Sequence, residues 1–243
     1  NLNMKDNFLN YNNYVSVDCV VLGYNEVENK LQVLLIKQKG PAPNTAELFK
    51  PQYAIPGDLI KEEESLDEAA ARILEDLVNV KGLFLEQFYT FGHPERVKDP
   101  KDADWLSTRR KDPLARVITV AYLALVRIDQ INPSAGYFAE QATWRSIKKI
   151  PKLAFDHNTI VSKALDIIRE HPEQHLVGRE LLPNKFTLSQ LQNLYEVIQN
   201  KELDKRNFRK SIKNNEYLIT LDEKQKGVLH KPAQYYAFKK PKK

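Results

Sequence analysis

The sequence predicts an α+β fold in two parts, a mixed-sheet domain over residues 1–180 and a small helical domain closed by a hairpin over 181–243. Three observations predict it. Apolar runs of strand length, such as SVDCVVLGY and LQVLLIK, alternate with amphipathic stretches of helical period. Ser65 with Glu68, and Thr187 with Gln190, have capping-box spacing, in which each side chain satisfies a free backbone N–H at a helix start. Charge is unevenly spread: from Pro183 onward there are 14 Lys/Arg against 6 Asp/Glu, an excess of +8 within a chain whose net charge is +5. A basic end on a mildly acidic body points to a polyanionic partner for the C-terminal part.

The elements follow in order. Residues 15–24 and 31–37 read as strands joined by the turn YNEVENK, and a Pro- and Asn-rich loop follows. A helix starts at Leu66, with Leu66, Ala69, Ala70, Ile73 and Leu77 on its inner face. LFLEQFYTFG and ARVITVAYLALVRI read as strands, and the charged segment between them, HPERVKDPKDADWLSTRRKDP, as a surface loop too polar for the core. His93, at its start, reads as structural. ATWRSIKKIP reads as strand and turn. FDHNTIVSKALDIIREH is an amphipathic helix that Asp156 can cap, with Ile160, Val161, Ala164, Leu165 and Ile168 on one face.

Composition narrows the class. The hydrophobic share of 42% supports a core. No apolar run is long enough to span a membrane, and the polar start NLNMKDNFLNYNN lacks a signal-peptide core. The single cysteine, Cys19, sits in an apolar strand and reads as a buried thiol. A cytoplasmic location is the expectation.

Residues 57–80, GDLIKEEESLDEAAARILEDLVNV, resemble the Nudix box, G-x5-E-x7-R-E-U-x-E-E-x-G-U, where U is aliphatic. Asp58 takes the box's glycine, Glu64 its first glutamate, Arg72 its arginine and Asn79 its last glycine. Ile73, Asp76 and Leu77 stand where the resemblance places three metal-holding carboxylates. Magnesium needs a near-octahedral shell of oxygen ligands, and two aliphatic side chains offer none. The expectation is therefore a Nudix frame with no catalytic residues, no metal and no cofactor.

The C-terminal segment supplies a second signal. A helix from Leu188 buries Leu188, Leu191, Leu194 and Ile198, and QNKEL connects it to a second helix capped by Asp204, with Leu203 and Phe208 as a hydrophobic staple. At 100° per residue, Phe208 and Ile212 share the buried side, while Arg206, Arg209, Lys210 and Lys213 lie roughly opposite. EYLITL and AQYYAF then form a hairpin. Helix, turn, basic helix and hairpin outline a winged helix-turn-helix, whose second helix enters the major groove.

Together the halves resemble the Nudix-related transcriptional regulators. The marks are TFG with DP…ARVITVAYLAL, LAFDHNTI, and FTLSQLQNLYE…LDKRNFRKSI…KPAQYYAF. The resemblance implies a Nudix-like α/β/α sandwich with a mixed sheet, then a winged helix. It implies a homodimer that binds palindromic operator DNA and is controlled by a small effector, not an enzyme. L-arabinose is the favoured effector, because Asp112-Pro113 lies about twenty residues beyond Gly92 and departs from the compact R-D-P-R of ADP-ribose-handling relatives. The alternatives are ADP-ribose or another NAD-derived effector, a hydrolase with atypical metal ligands, or a purely structural Nudix domain. Candidate effector-binding residues are Lys50, Tyr53, Asp58, Glu64, Arg72 and Arg116. Candidate DNA-binding residues are Arg206, Asn207, Arg209, Lys210 and Lys213, with Lys231 and Tyr235 from the wing.

Overall fold

The structure is a computed structural model that describes residues 10–39, 51–99, 102, 106, 110, 112–113, 115–136, 139–170, 172, 177–213, 215–227, 229 and 231–239. The chain forms two compact units, residues 1–23 with 32–164 and residues 24–31 with 165–243. The separation thus falls within the long helix, ahead of the 180/181 division read from the sequence. That helix's C-terminal half belongs to the second unit, where Arg169 Nε donates to the Ile198 carbonyl at 3.0 Å.

The first unit is a seven-stranded mixed sheet of β1 (Tyr11–Asn25), β2 (Lys30–Gln38), β3 (Tyr53–Ala54), β4 (Gly57–Lys61), β5 (Glu86–Phe91), β6 (Ile118–Arg127) and β7 (Ala139–Ser146). Its order is β3-β2-β1-β6-β5, with β4 on β1 and β7 on β2. The period of two along each strand sorts the faces. Val17, Cys19 and Val21 of β1, Leu34 and Ile36 of β2, and Val120, Tyr122, Ala124 and Val126 of β6 pack with helix α1 (Leu66–Val78). Val20, Leu22, Val33, Leu35 and Ala121 are buried on the opposite face, together with Asp18. Helix α2 (His157–Glu170) starts on that face, where His157 meets Asp18. This is the α/β/α sandwich the sequence led us to expect.

Helix α1 forms as its sequence requires. Ser65 Oγ accepts from the Glu68 N–H, and the Glu68 carboxylate accepts from the Ser65 N–H, so the capping box is complete. Asn79 ends the helix at φ 53°, a left-handed conformation that Asn tolerates at the position where the box has glycine. Tyr122 on β6 donates to Asp67 at 2.6 Å and ties the sheet to the helix start; burial and that carboxylate both push the phenol up. Cys19 is fully buried and its Sγ faces the Ala70 carbonyl at 3.8 Å, as expected of a structural thiol; burial pushes it up.

The reading of residues 93–113 as wholly surface loop is corrected. Arg96, Val97, Asp102 and Leu106 are buried. Asp102 accepts from Gln52 Nε2 at 3.0 Å and from the Phe155 N–H at 3.1 Å. Polar composition suggested solvent; specific partners make burial possible. His93 is exposed and structural, its Nδ1 accepting from the Glu95 N–H. Asp156 precedes α2 as expected, but both its carboxylate oxygens accept from Arg96.

In the second unit, α3 (Val177–Leu181), β8 (Phe186–Thr187), α4 (Leu188–Gln199), α5 (Lys205–Lys213), β9 (Leu218–Lys224) and β10 (Gln234–Phe238) form a winged helix. Thr187 and Gln190 complete the second capping box. The Asp204 carboxylate accepts from the Asn207 N–H at 2.8 Å, the expected cap of α5. The sequence reading missed β8, which makes β10 the centre of a three-stranded sheet. Two residues are too short to carry a strand period. Gly178 lies so close to the Phe238 ring that an added Cβ would stand 2.5 Å from it.

Gly57 is equally constrained. A Cβ there would lie 1.9 Å from Asp18 Oδ1. Gly57→Ala is expected to cost about 1–3 kcal/mol by overpacking, read as a lower midpoint in urea; an unchanged midpoint would mean that the strand relaxes freely.

Candidate functional site

The glutamate and arginine of the Nudix box are paired with each other, and aliphatic side chains stand at two of its three carboxylate positions. Arg72 donates through Nε to Glu64 at 2.8 Å and through Nη2 to Glu64 at 2.5 Å and to the Leu59 carbonyl at 3.0 Å. Its Nη1 lies 3.6 Å from Asp76 and 4.0 Å from Asp58. Glu64 also accepts from the Lys61 N–H at 2.6 Å. Burial opposes the charge on Glu64, but hydrogen bonds from Arg72 and the Lys61 backbone outweigh it and lower the carboxyl. Arg72 is raised in turn, burial being outweighed by Glu64. The pair locks the β4–α1 loop onto the helix.

Ile73 and Leu77 are in the core, and the Asp76 side chain is about half exposed. Positions 73 and 77 thus point into the core, and 76 sits beside Arg72. Glu75 pairs with Lys81. Among the described residues, no group of three His, Cys, Asp or Glu side chains is placed to hold a metal ion.

The candidate effector residues are not gathered in one place. Asp58, Glu64 and Arg72 form the ion-pair group just described. Tyr53 accepts from Arg145 Nη2 at 2.9 Å, with the guanidinium over its ring. Arg116 is exposed and donates to the Gly92 carbonyl at 2.9 Å. Lys50 lies outside the described residues. Of the described residues in the set, only Asp58 lines the cavity beside Asp18 of β1.

That cavity holds the most unusual electrostatics of the unit, and sequence reading did not single out its residues. Asp18, Arg96 and His157 are each less than a tenth exposed. Arg96 Nη2 lies 3.3 Å from Asp18, while Arg96 Nη2 and Nε grip Asp156 at 2.9 and 3.0 Å. His157 Nδ1 accepts from the Ile55 N–H at 3.2 Å, and its Nε2 stands 3.5 Å from Asp18 Oδ1. An acceptor Nδ1 places the imidazole proton on Nε2, directed at Asp18. Burial by itself raises the Asp18 carboxyl; His157, Arg96 and a hydrogen bond from Thr119 reverse that and hold it well below the ordinary carboxylate range. Phe155, also on the cavity wall, has φ 54°, a strained conformation for a bulky side chain. The available signal was an aspartate in the apolar run SVDCVVLGY, since a charge inside a buried strand requires a partner.

On the second unit, α5 carries Phe208 and Ile212 inward and Arg206, Asn207, Arg209 and Lys210 outward, all four exposed. Tyr195 packs edge-on against Phe208 with centroids 5.9 Å apart, fixing α5 against α4. On the wing, Lys231 is exposed, and Tyr235 is half-buried opposite Thr187 with Lys185 over its ring. The backbone of Lys213 closes α5.

Comparison with known proteins gives the following. Residues 178–238 match the NrtR DNA-binding winged helix domain. The "ADPR responsive transcriptional repressor NtrR" of Acinetobacter baylyi is 26% identical over 228 residues, covering 92% of this chain and 81% of that protein. The crystal structure of Shewanella oneidensis NrtR complexed with a 27mer DNA superposes with a TM-score of 0.66 at 25% identity, covering 93% of each chain. An ADP-ribose pyrophosphatase of Methanocaldococcus jannaschii is 26% identical over 151 residues, 62% of this chain and 75% of that one.

Two outcomes are expected. Asp18 has a lowered folded value, so its contribution to stability is fully present above its unfolded value of about 3.9 and is lost as pH falls below it. Asp18→Asn is therefore less stable than the wild type at pH 7, with a gap that narrows below about pH 4 in urea titrations; a constant gap would place the loss in packing. Restoring a carboxylate as Ile73→Glu puts an unpaired charge in the core and is expected to cost about 3 kcal/mol or more. Magnesium-dependent hydrolysis gained at full stability would overturn the placement of position 73.

Proposed function

We propose that this chain, which belongs to the Nudix-related transcriptional regulators, is a repressor that binds operator DNA through its winged helix and is controlled by ADP-ribose. The observation that carries the DNA-binding part is α5, a short helix with two apolar anchors inward and an exposed face of Arg206, Asn207, Arg209 and Lys210. The arginines and Asn207 suit base edges, and lysines, Lys213 and Lys231 among them, suit phosphates, with Tyr235 on the wing. The match of residues 178–238 to a DNA-binding winged helix supports the same assignment.

For the effector, the similar Acinetobacter baylyi repressor is named for its response to ADP-ribose, which favours that compound over L-arabinose. The comparisons lend L-arabinose no support. An intact frame without its carboxylates suits a domain that binds its effector and leaves it whole. The pyrophosphatase relative makes hydrolysis the rival reading, and the core positions of Ile73 and Leu77 count against it. In this reading the repressor acts as a homodimer. Among the described residues, no helix is long and apolar enough to cross a membrane.

Operator titrations test the reading. Arg209→Ala is expected to weaken operator binding by about 10-fold, the cost of about 1–3 kcal/mol for a lost base contact, with an unchanged melting temperature. ADP-ribose is expected to release wild-type protein from DNA and to be recovered intact in the presence of magnesium. Release by L-arabinose alone would return the effector to the sugar, and cleavage of ADP-ribose would make the protein a hydrolase.

A further inference from the structure

We propose that the cavity between α5 and the β9–β10 hairpin is the seat of a backbone phosphate of the bound DNA, held by the hydroxyls of Thr220 and Tyr236 and the side-chain amide of Asn215; this rests on the DNA-binding reading above and deepens it. The cavity has a volume of about 310 Å³, and Arg209, Asn215, Leu218, Thr220 and Tyr236 line it together with Leu188 of α4. Strand register explains its wall. Thr220 stands opposite Tyr236 in the β9–β10 pair, so the two side chains share a face. Phe238, two residues along, lies on the same face and packs against Phe186 and Gly178. That face is therefore apolar near the helices' core and turns to hydroxyls towards the tip of the hairpin. Helix α5 is held from its other side, by Phe208 against Tyr195 of α4, and a space remains between it and the hydroxyls.

The chemistry of the wall selects an anion. Asn215 Oδ1 accepts from the Tyr217 N–H at 2.8 Å, which leaves the NH2 end of the amide as its donor. The hydroxyls of Thr220 and Tyr236 can donate, and the Arg209 guanidinium only donates. Among the described lining residues none is acidic. A buried water needs about 10–15 Å³ on the same scale, so the space takes a whole phosphate with the sugar edges beside it, and Leu188 and Leu218 suit the sugar carbons. Position selects DNA as the source. Arg209 belongs to the exposed face of α5, so the cavity borders the surface offered to the duplex. With α5 in the major groove and the hairpin on the backbone, one DNA strand crosses the join between them. A phosphate held there carries no sequence information; it sets the register and depth at which α5 meets the bases.

The test uses the full chain and an operator duplex that it selects from a random-sequence pool. Thr220→Val keeps the branched side chain and Tyr236→Phe keeps the ring, so each removes a hydroxyl and little else. Each is expected to weaken binding about 10-fold, equally for the operator and for a scrambled duplex of the same length, with an unchanged melting temperature. A single uncharged methylphosphonate, walked along the operator, is expected to weaken the wild type about 10-fold at one position and to have little further effect there on the double variant, since the two changes remove one interaction. Wild-type affinity in both variants would overturn the seat and leave the DNA-binding reading intact. A loss confined to the operator would make the contact a base contact and overturn it equally. Inorganic phosphate is the other source of the same chemistry. If it protects the wild type but not the double variant against thermal unfolding, while both bind DNA alike, the occupant is a free anion and the DNA assignment is overturned. Failure of the wild type to bind any duplex at low salt would overturn both the seat and the DNA-binding reading.

Discussion

Arg96 is the side chain on which the first unit's polar interior depends. Its guanidinium reaches Asp18 in the middle of β1 and Asp156 ahead of α2. One buried cation thus joins a central strand, the segment after β5 and the start of a helix. Asp18 without Arg96 would be an uncompensated charge on an apolar face, and breaking such a pair is far more costly than the pair's net contribution. Gly57 follows from the same constraint, because the Asp18 carboxylate leaves no space for a side chain on β4.

A second ion pair, Glu64 with Arg72, does for the other side of the sheet what Arg96 does here. It fixes the β4–α1 loop to the helix and survives where the box's metal carboxylates have gone. The two losses are consistent with one another. With Ile73 and Leu77 in the core, α1 contributes packing instead of ligands, and its retained arginine has a structural partner that needs no metal. Polar chemistry then concentrates on the opposite face, in the cavity around Asp18. Phe155 stands there in a strained conformation, the kind of local cost that persists where surrounding structure over-determines it.

The winged helix is stabilised differently. Its centre is aromatic and aliphatic: Phe186 lies against Phe238, Tyr195 against Phe208, and Gly178 admits the Phe238 ring. Anchoring α5 by Phe208 and Ile212 leaves its charged face free, so the residues offered to a polyanion carry little of the fold. Stability and recognition are therefore separable on this helix.

Local chemistry determined much of this protein from sequence alone. Both capping boxes, the cap at Asp204, the buried stripe of α1, the inward Phe208 and Ile212 and the outward basic face of α5 follow from spacing along a helix, because they depend on neighbours three or four residues apart. The loss of box carboxylates was equally legible, being a matter of residue type. Only the tertiary structure decided which charges are buried and with whom. Arg96 lies 78 residues from Asp18 and 60 from Asp156, and Asp102 lies 53 from Phe155. The segment that carries Arg96 and Asp102 read as solvated loop because composition measures polarity and not partnership. The candidate effector residues scattered for the same reason: positions in one motif, such as Glu64 and Arg72, satisfy one another, and the buried arginine beside Asp18 belongs to no motif that announces it.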